Sequence, residues 1–169
     1  SDWGSYWLCR VLLEKKMPGE ALAIAKKFQG GSPASVDFAY LAVEALLQSG
    51  NIDEARSILD SLKTGQSESS QFAYASGLCS EKDGDYREAI DFYHRATSLD
   101  EENYDAYFRL GYLLGFHATE EEEQSGLALE YYEKCLQARP INTNVVMNLG
   151  ILYEDCERYH DAIQCFQAV

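Results

Sequence analysis

Apolar residues recur along this chain at helical spacing, in short runs separated by polar turns. The last copy of the pattern lies in residues 146–166. Its apolar positions are Val146, Leu149 and Tyr153 on a first segment and Ala162 and Phe166 on a second. A polar turn at residues 157–158 separates the two segments. Because apolar residues three and four apart share one helix face, the pattern predicts two short amphipathic helices joined by a turn.

The alanine that opens each second segment recurs at a nearly fixed interval. These alanines are Ala21, Ala55, Ala89, Ala128 and Ala162, and their separations are 34, 34, 39 and 34 residues. A fixed period of this size is typical of stacked repeats, in which each hairpin buries its apolar face against its neighbours. The predicted units are residues 2–35, 36–69, 70–103, 104–142 with an insertion near 118–125, and 143–169, which stops short.

The fourth unit carries the clearest version of the pattern. Its marked positions are Tyr107, Leu110, Gly111 and Leu114, then Ala128 and Tyr132, with Pro140 at the end. This pattern resembles the tetratricopeptide repeat, a helix–turn–helix unit with a large residue, Leu-Gly and a second large residue on its first helix and Ala and an aromatic on its second. The resemblance implies an all-α fold, a single right-handed α-solenoid of about five such units and about ten helices.

Two further features of the repeats concern packing. Gly77, Gly111 and Gly150 share one slot, where we expect the helices of a hairpin to cross with the alanines at 89, 128 and 162 facing them. In the first unit, we expect the buried stripe to consist of Trp7, Leu8, Val11 and Leu12. Gly50 and Gly84 also share a slot, and we expect each to end a helix in the left-handed conformation.

Composition narrows the classes of function. The net charge of −14 repels phosphate backbones, so we expect no direct binding to nucleic acid. No apolar run reaches the length of a membrane span, and we expect no membrane partner. The five cysteines form no C-x-x-C pair and lie within helical apolar patterns, which indicates buried thiols in a reducing compartment, the cytoplasm. The first and last residues suggest that the chain is a fragment of a longer protein.

The insertion in the fourth unit is acidic. Thr119 and Glu122 have the spacing of a capping box, and the run 120–123 places carboxylates at the start of the next predicted helix. We interpret the run as a solvated face, with a docking site for a basic partner as the alternative.

Candidate chemistry is sparse. His94, His117 and His160 lie in three different units at unrelated slots, and no metal-binding, nucleophile or phosphate-binding motif occurs. We therefore expect no catalysis, no cofactor and no metal site.

A candidate groove follows from the resemblance, because first helices of successive repeats line the concave side of such arrays. One slot of these helices reads Tyr6, Tyr40, Tyr74, Phe108 and Met147, and the slot one turn further includes Leu78, Tyr112 and Ile151. Arg109 and Asn148 lie beside them and are candidates to orient one polar group of a ligand. The alternatives are that the aromatic residues only pack between helices and that Arg109 pairs with Asp105.

The sequence therefore predicts a non-catalytic scaffold that binds a partner peptide or helix in an apolar and aromatic groove. One alternative is self-association, with a homodimer formed through Ala162, Ile163, Phe166 and Val169 of the last repeat. Another is a regulatory segment of a larger protein with a role in transcription. Residues 109–114 and 148–155 are similar to bacterial repeat proteins whose array precedes a domain like the C-terminal domain of the RNA polymerase alpha subunit.

Overall fold

A computed structural model describes residues 2–28, 35–117, 122–138 and 142–169, with the backbone alone at 122–125 and 138. All regular structure within these residues is helical. The helices are α1 (Asp2–Glu14), α2 (Pro18–Lys27), α3 (Ser35–Gln48), α4 (Ile52–Gln66), α5 (Ser70–Asp83), α6 (Tyr86–Leu99), α7 (Tyr104–Phe116), α8 (Glu122–Ala138), α9 (Thr143–Asp155) and α10 (Tyr159–Gln167). The predicted all-α fold of helix pairs is confirmed, and the described helices match the expected ten.

The chain forms two compact units, Ser1–Phe92 and Tyr93–Val169. The first unit contains α1 to α5 and the start of α6. Helices α1 to α5 pack consecutively, α1 on α2, α2 on α3, α3 on α4 and α4 on α5, and α3 also packs on α1 and on α5. The first helices of the pairs, α1, α3 and α5, thus pack side by side. Each second helix, α2 or α4, lies between two first helices along the chain. This is the packing expected of stacked hairpins, in which each repeat contacts its neighbours.

The core of the first unit is aromatic and aliphatic. Phe38 is fully buried and stacks on Phe28, with ring centroids 4.2 Å apart. Around α1 the buried side chains are Cys9, Leu12 and Leu13. The predicted stripe was therefore wrong for Trp7, Leu8 and Val11, which are exposed. The face of α1 that packs on α2 and α3 is rotated toward Cys9 and Leu13.

The second unit packs in the same way. Helix α7 contacts α8 and α9, α8 contacts α9, and α9 contacts α10. Tyr132 of α8 is fully buried between these helices, and the Asn148 side-chain amide donates a hydrogen bond of 3.0 Å to its hydroxyl oxygen. The helices that open the predicted repeats start at residues 2, 35, 70, 104 and 143. The repeat boundaries and the single array remain predictions.

Side-chain caps fix the starts of three of the helices that open the predicted repeats, α5, α7 and α9. Ser69, Asn103 and Asn142 each accept a hydrogen bond from a backbone N–H three residues on, at 3.0, 3.0 and 3.2 Å. A polar side chain at this position satisfies one of the N–H groups that a helix start leaves unpaired. The capping box predicted at Thr119 and the closing Pro140 lie outside the described residues.

Four turns between paired helices share one closing geometry. Gly50 and Gly84 adopt the left-handed conformation as predicted, with φ of +80° and +84°. Lys16 and Glu157 occupy the same slot and adopt it too, each with a φ of 58°. In every case the next residue donates its backbone N–H to a carbonyl five residues back: Met17 to Leu12, Asn51 to Leu46, Asp85 to Ser80 and Arg158 to Tyr153. This hydrogen bond pairs a carbonyl that the helix end would otherwise leave free.

The shared glycine slot lies against an aromatic ring. A Cβ on Gly111 would lie 3.1 Å from three ring atoms of Tyr132, and one on Gly150 would lie 2.5 Å from Phe166. The expected partners, Ala128 and Ala162, are one helical turn earlier on α8 and α10. Ala128 instead lies near Gly115, at 3.5 Å from its hypothetical Cβ. Glycine at this position therefore leaves room for an aromatic side chain from the second helix.

The two glycines should tolerate alanine differently. Gly111→Ala is expected to lower the free energy of unfolding by about 1–2 kcal/mol, because overpacking against buried Tyr132 outweighs the gain in helix propensity. Gly150→Ala should cost less than about 1 kcal/mol although its contact is closer, because the half-exposed Phe166 ring can rotate into solvent. Urea denaturation of both variants measures the difference. A larger loss for Gly150→Ala would contradict this packing account.

Candidate functional site

The second unit presents four apolar side chains on two neighbouring helices. Phe108 and Tyr112 lie one turn apart on α7 and are partly exposed. Met147 and Ile151 lie one turn apart on α9, with 39% and 37% of their surface exposed. Helices α7 and α9 pack on each other, and we call these four residues together the α7–α9 face.

One buried ring, that of Tyr132, supports the α7–α9 face. The Phe108 ring meets Tyr132 edge-on, with centroids 5.8 Å apart. Tyr112 lies 5.7 Å from Phe116 and 5.0 Å from His117, measured between ring centroids. Burial raises the pKa of the Tyr132 phenol well above its usual value, although the hydrogen bond from Asn148 opposes this shift. Tyr132 therefore remains a neutral and fixed support beneath Phe108.

The two polar candidates beside this face differ in their contacts. The Asn148 amide is held by the Tyr132 hydroxyl, so it also orients the buried tyrosine. Arg109 is half-buried on α7 and has an interaction partner within the protein. The predicted role of both residues toward a ligand remains a prediction.

The first unit contains the remaining predicted residues. Tyr6, Tyr40 and Tyr74 are half-buried on α1, α3 and α5, and α3 packs on both other helices. The Tyr40 hydroxyl shares a 3.3 Å hydrogen bond with Ser69 Oγ, and burial raises the pKa of this tyrosine. Leu78, also on α5, is buried. The three tyrosines are thus partly covered by the fold and still reach the surface.

Sequence reasoning missed one exposed group beside Tyr6. Trp3 and Trp7 of α1 are 70% and 57% exposed. Their rings stack on each other with centroids 6.3 Å apart, and Tyr6 stands edge-on to both. The signal was present in the sequence, because residues 3, 6 and 7 have the i, i+3 and i+4 spacing of one helix face.

Most of the cysteines are shielded from solvent, and burial raises the pKa of their thiols. Cys9, Cys79 and Cys135 are buried as predicted, whereas Cys156 is exposed. Burial raises the pKa of Cys79 to about 11 and that of Cys135 to about 12, which leaves both thiols protonated near neutral pH. Among the described residues, no group of three or more His, Cys, Asp or Glu side chains is placed to hold a metal ion. None of the described helices is both long and apolar enough to cross a bilayer.

Family models of the tetratricopeptide repeat match residues 7–76 and residues 74–103. Together the two matches span more than half of the chain, and the chain therefore belongs to the tetratricopeptide repeat family. Arrays of such repeats present extended surfaces used for binding.

The curated relatives of this chain include photosystem I assembly proteins. The chain is 30% identical over 106 residues to the photosystem I assembly protein Ycf3 of Prochlorococcus marinus (strain MIT 9215). That match covers 62% of this chain and 60% of the relative. The chain thus spans about three fifths of the length of this curated relative. The expected likeness to repeat proteins with a domain like that of the RNA polymerase alpha subunit is not supported by these relatives.

Solved structures share the fold over nearly the whole chain. The crystal structure of MamA matches with a TM-score of 0.66 and 21% identity, covering 95% of this chain and 91% of MamA. PilF from Pseudomonas aeruginosa matches with a TM-score of 0.72 and 18% identity, covering 99% of this chain and 74% of PilF. At these identities the likeness establishes the fold and nothing further.

Proposed function

We propose that this chain is a non-catalytic scaffold that binds an apolar segment of a partner protein on the α7–α9 face. The observation that carries the proposal is the exposure of Met147 and Ile151 beside Phe108 and Tyr112 on adjacent helices. Contiguous apolar surface of this kind marks interaction sites in soluble proteins.

The composition of the face suits a peptide or helix. Phe108 and Tyr112 offer large contact areas with few rotatable bonds, so ordering them on binding costs little entropy. Met147 is unbranched and flexible, and it can adapt to the shape of a ligand. An amphipathic helix that presents apolar residues at i, i+3, i+4 and i+7 would match two such rows of side chains.

The named role of the relatives supports the same class of function. The Ycf3 proteins are photosystem I assembly proteins by name. A protein that assembles a complex must contact its subunits, and binding other proteins is the activity we assign to this chain. Self-association through the last repeat is the alternative, and the relatives do not favour it. Of the residues predicted to form that contact, Ile163, Phe166 and Val169 are exposed, whereas Ala162 is buried.

A charge introduced into the α7–α9 face tests the proposal. The full chain would be used to select binders from a random peptide library displayed on phage, and the best peptide would be synthesised. Met147→Asp is expected to weaken its binding about 30-fold, or about 2 kcal/mol, because the new carboxylate must lose its water beneath an apolar ligand.

Leu127→Asp is the matched control. Leu127 of α8 is 39% exposed, as Met147 is, and both changes alter the net charge equally. The control should bind the selected peptide as the unmodified chain does, and circular dichroism should show the same helix content in both variants. Equal affinities for Met147→Asp and Leu127→Asp would refute the α7–α9 face as the binding site.

A further inference from the structure

A cleft of about 560 Å³ opens among the starts of α1, α3 and α5 in the first unit. Its walls include Trp3, Tyr6 and Trp7 of α1 and Phe38 of α3, with Asp2 and Asp37 at its edges. We call this the tryptophan cleft. It lies wholly within the first unit and shares no residue with the α7–α9 face.

The aromatic wall of the tryptophan cleft is unusually exposed. Trp3 and Trp7 lie nearly parallel, 15° apart, while Tyr6 is at 80° and 86° to them. Tryptophans exposed to this extent are uncommon on soluble proteins, because each leaves a large apolar area in water. Indole is also the aromatic group that attracts a cation most strongly over its face.

The charge around this wall is negative. None of the described residues that line the cleft is basic, and Asp2 and Asp37 each contribute a carboxylate. The nearby Arg10 already faces Glu44, at 3.9 Å. Each of the three helix starts carries roughly half a positive charge, which the two full negative charges offset. The net charge of −14 adds an attraction for cations at longer range.

We propose that the tryptophan cleft binds an arginine side chain of a partner protein. A planar guanidinium can stack on an indole face and at the same time donate hydrogen bonds to a carboxylate. Lysine lacks the planar surface for stacking and is more strongly hydrated, so arginine fits the cleft better. The partner segment would therefore be basic, in contrast to the apolar segment assigned to the α7–α9 face.

Tryptophan fluorescence of the full chain reports directly on this site, because Trp3 and Trp7 are the two tryptophans of the sequence. The probe is a short blocked peptide with two arginines among glycines, and the control probe replaces each arginine with neutral citrulline. The arginine peptide should change the emission in a saturable manner. The citrulline peptide should change it only at concentrations about tenfold higher or more, because it lacks the cation.

Matched variants separate a specific site from general charge attraction. Asp37→Asn should weaken binding of the arginine peptide about fivefold, the scale of one lost charge-assisted hydrogen bond at an exposed site. Asp60→Asn makes the same change in net charge on an exposed position of α4 and should have no effect. Trp7→Ala should weaken binding as well, and circular dichroism verifies that each variant is folded.

Three results would overturn the proposal. Equal binding of the citrulline peptide would assign the cleft to a neutral ligand. Equal affinities for Asp37→Asn and Asp60→Asn would show only long-range attraction. A doubled molecular mass together with tryptophans shielded from a soluble quencher would show that a second copy occupies the cleft. Met147→Asp should leave the arginine titration unchanged, so failure of the α7–α9 face and failure of the tryptophan cleft are distinguishable.

Discussion

Replacing Tyr132 with alanine is expected to lower the free energy of unfolding by about 3–5 kcal/mol, the range seen when a fully buried aromatic ring is removed. Tyr132 has no exposed surface, lies under Phe108 and accepts a hydrogen bond from Asn148. Gly111 packs against the same ring, so the backbone of α7 also limits how far the cavity can close.

Two companion variants separate the contributions to this loss. Tyr132→Phe keeps the ring and removes the hydroxyl, so it should cost only about 1 kcal/mol, the usual net value of one hydrogen bond. Tyr159→Ala removes an exposed tyrosine from α10 and should change stability by about 0.5 kcal/mol or less. Urea denaturation followed by circular dichroism measures all three. A Tyr132→Ala loss no greater than that of Tyr159→Ala would show that this ring does not hold the second unit together.

Phe38→Ala should have an effect of similar size in the first unit, about 3–5 kcal/mol. The fully buried ring stacks on Phe28 and meets Tyr6 edge-on at 6.3 Å, so its loss removes contacts with two further rings. Phe38→Leu should cost less, about 1 kcal/mol, because leucine refills most of the volume.

Tryptophan emission gives a local readout for Phe38, since Trp3 and Trp7 both belong to the first unit. The denaturation midpoint followed by fluorescence should fall for Phe38→Ala well below that of Phe38→Leu. Identical midpoints for the two variants would contradict the assignment of Phe38 to the centre of this core.

Helix positions could be predicted from the sequence because helical periodicity is a local property. The turns were predictable only in part. Glycine favours the left-handed conformation, so Gly50 and Gly84 could be predicted to adopt it. Lys16 and Glu157 adopt the same conformation although their residue types do not favour it. The sequence indicates their conformation only through their position in the repeat, which is the same as that of the two glycines.

The candidate sites could be predicted only in part, because the spacing of residues along one helix does not show which side chains are buried or which ones meet across helices. Both sides of α1 are apolar, so periodicity could not decide that Leu13 is buried and Trp7 is exposed. The Asn148 amide was predicted as a ligand contact, and its bond to Tyr132 joins residues on different helices. The repeat register placed Phe108 and Met147 at equivalent positions of two helices that pack on each other in the structure, and their role in binding remains a prediction.

The most direct test of the α7–α9 face uses the two methionines of the chain. Met17 and Met147 are each 39% exposed, and they lie in different units. With ¹³C-labelled methionine methyl groups, the full chain should give two signals. Addition of the phage-selected peptide should shift or broaden the Met147 signal and leave the Met17 signal unchanged. A peptide that binds while the Met147 signal remains unmoved would contradict the account.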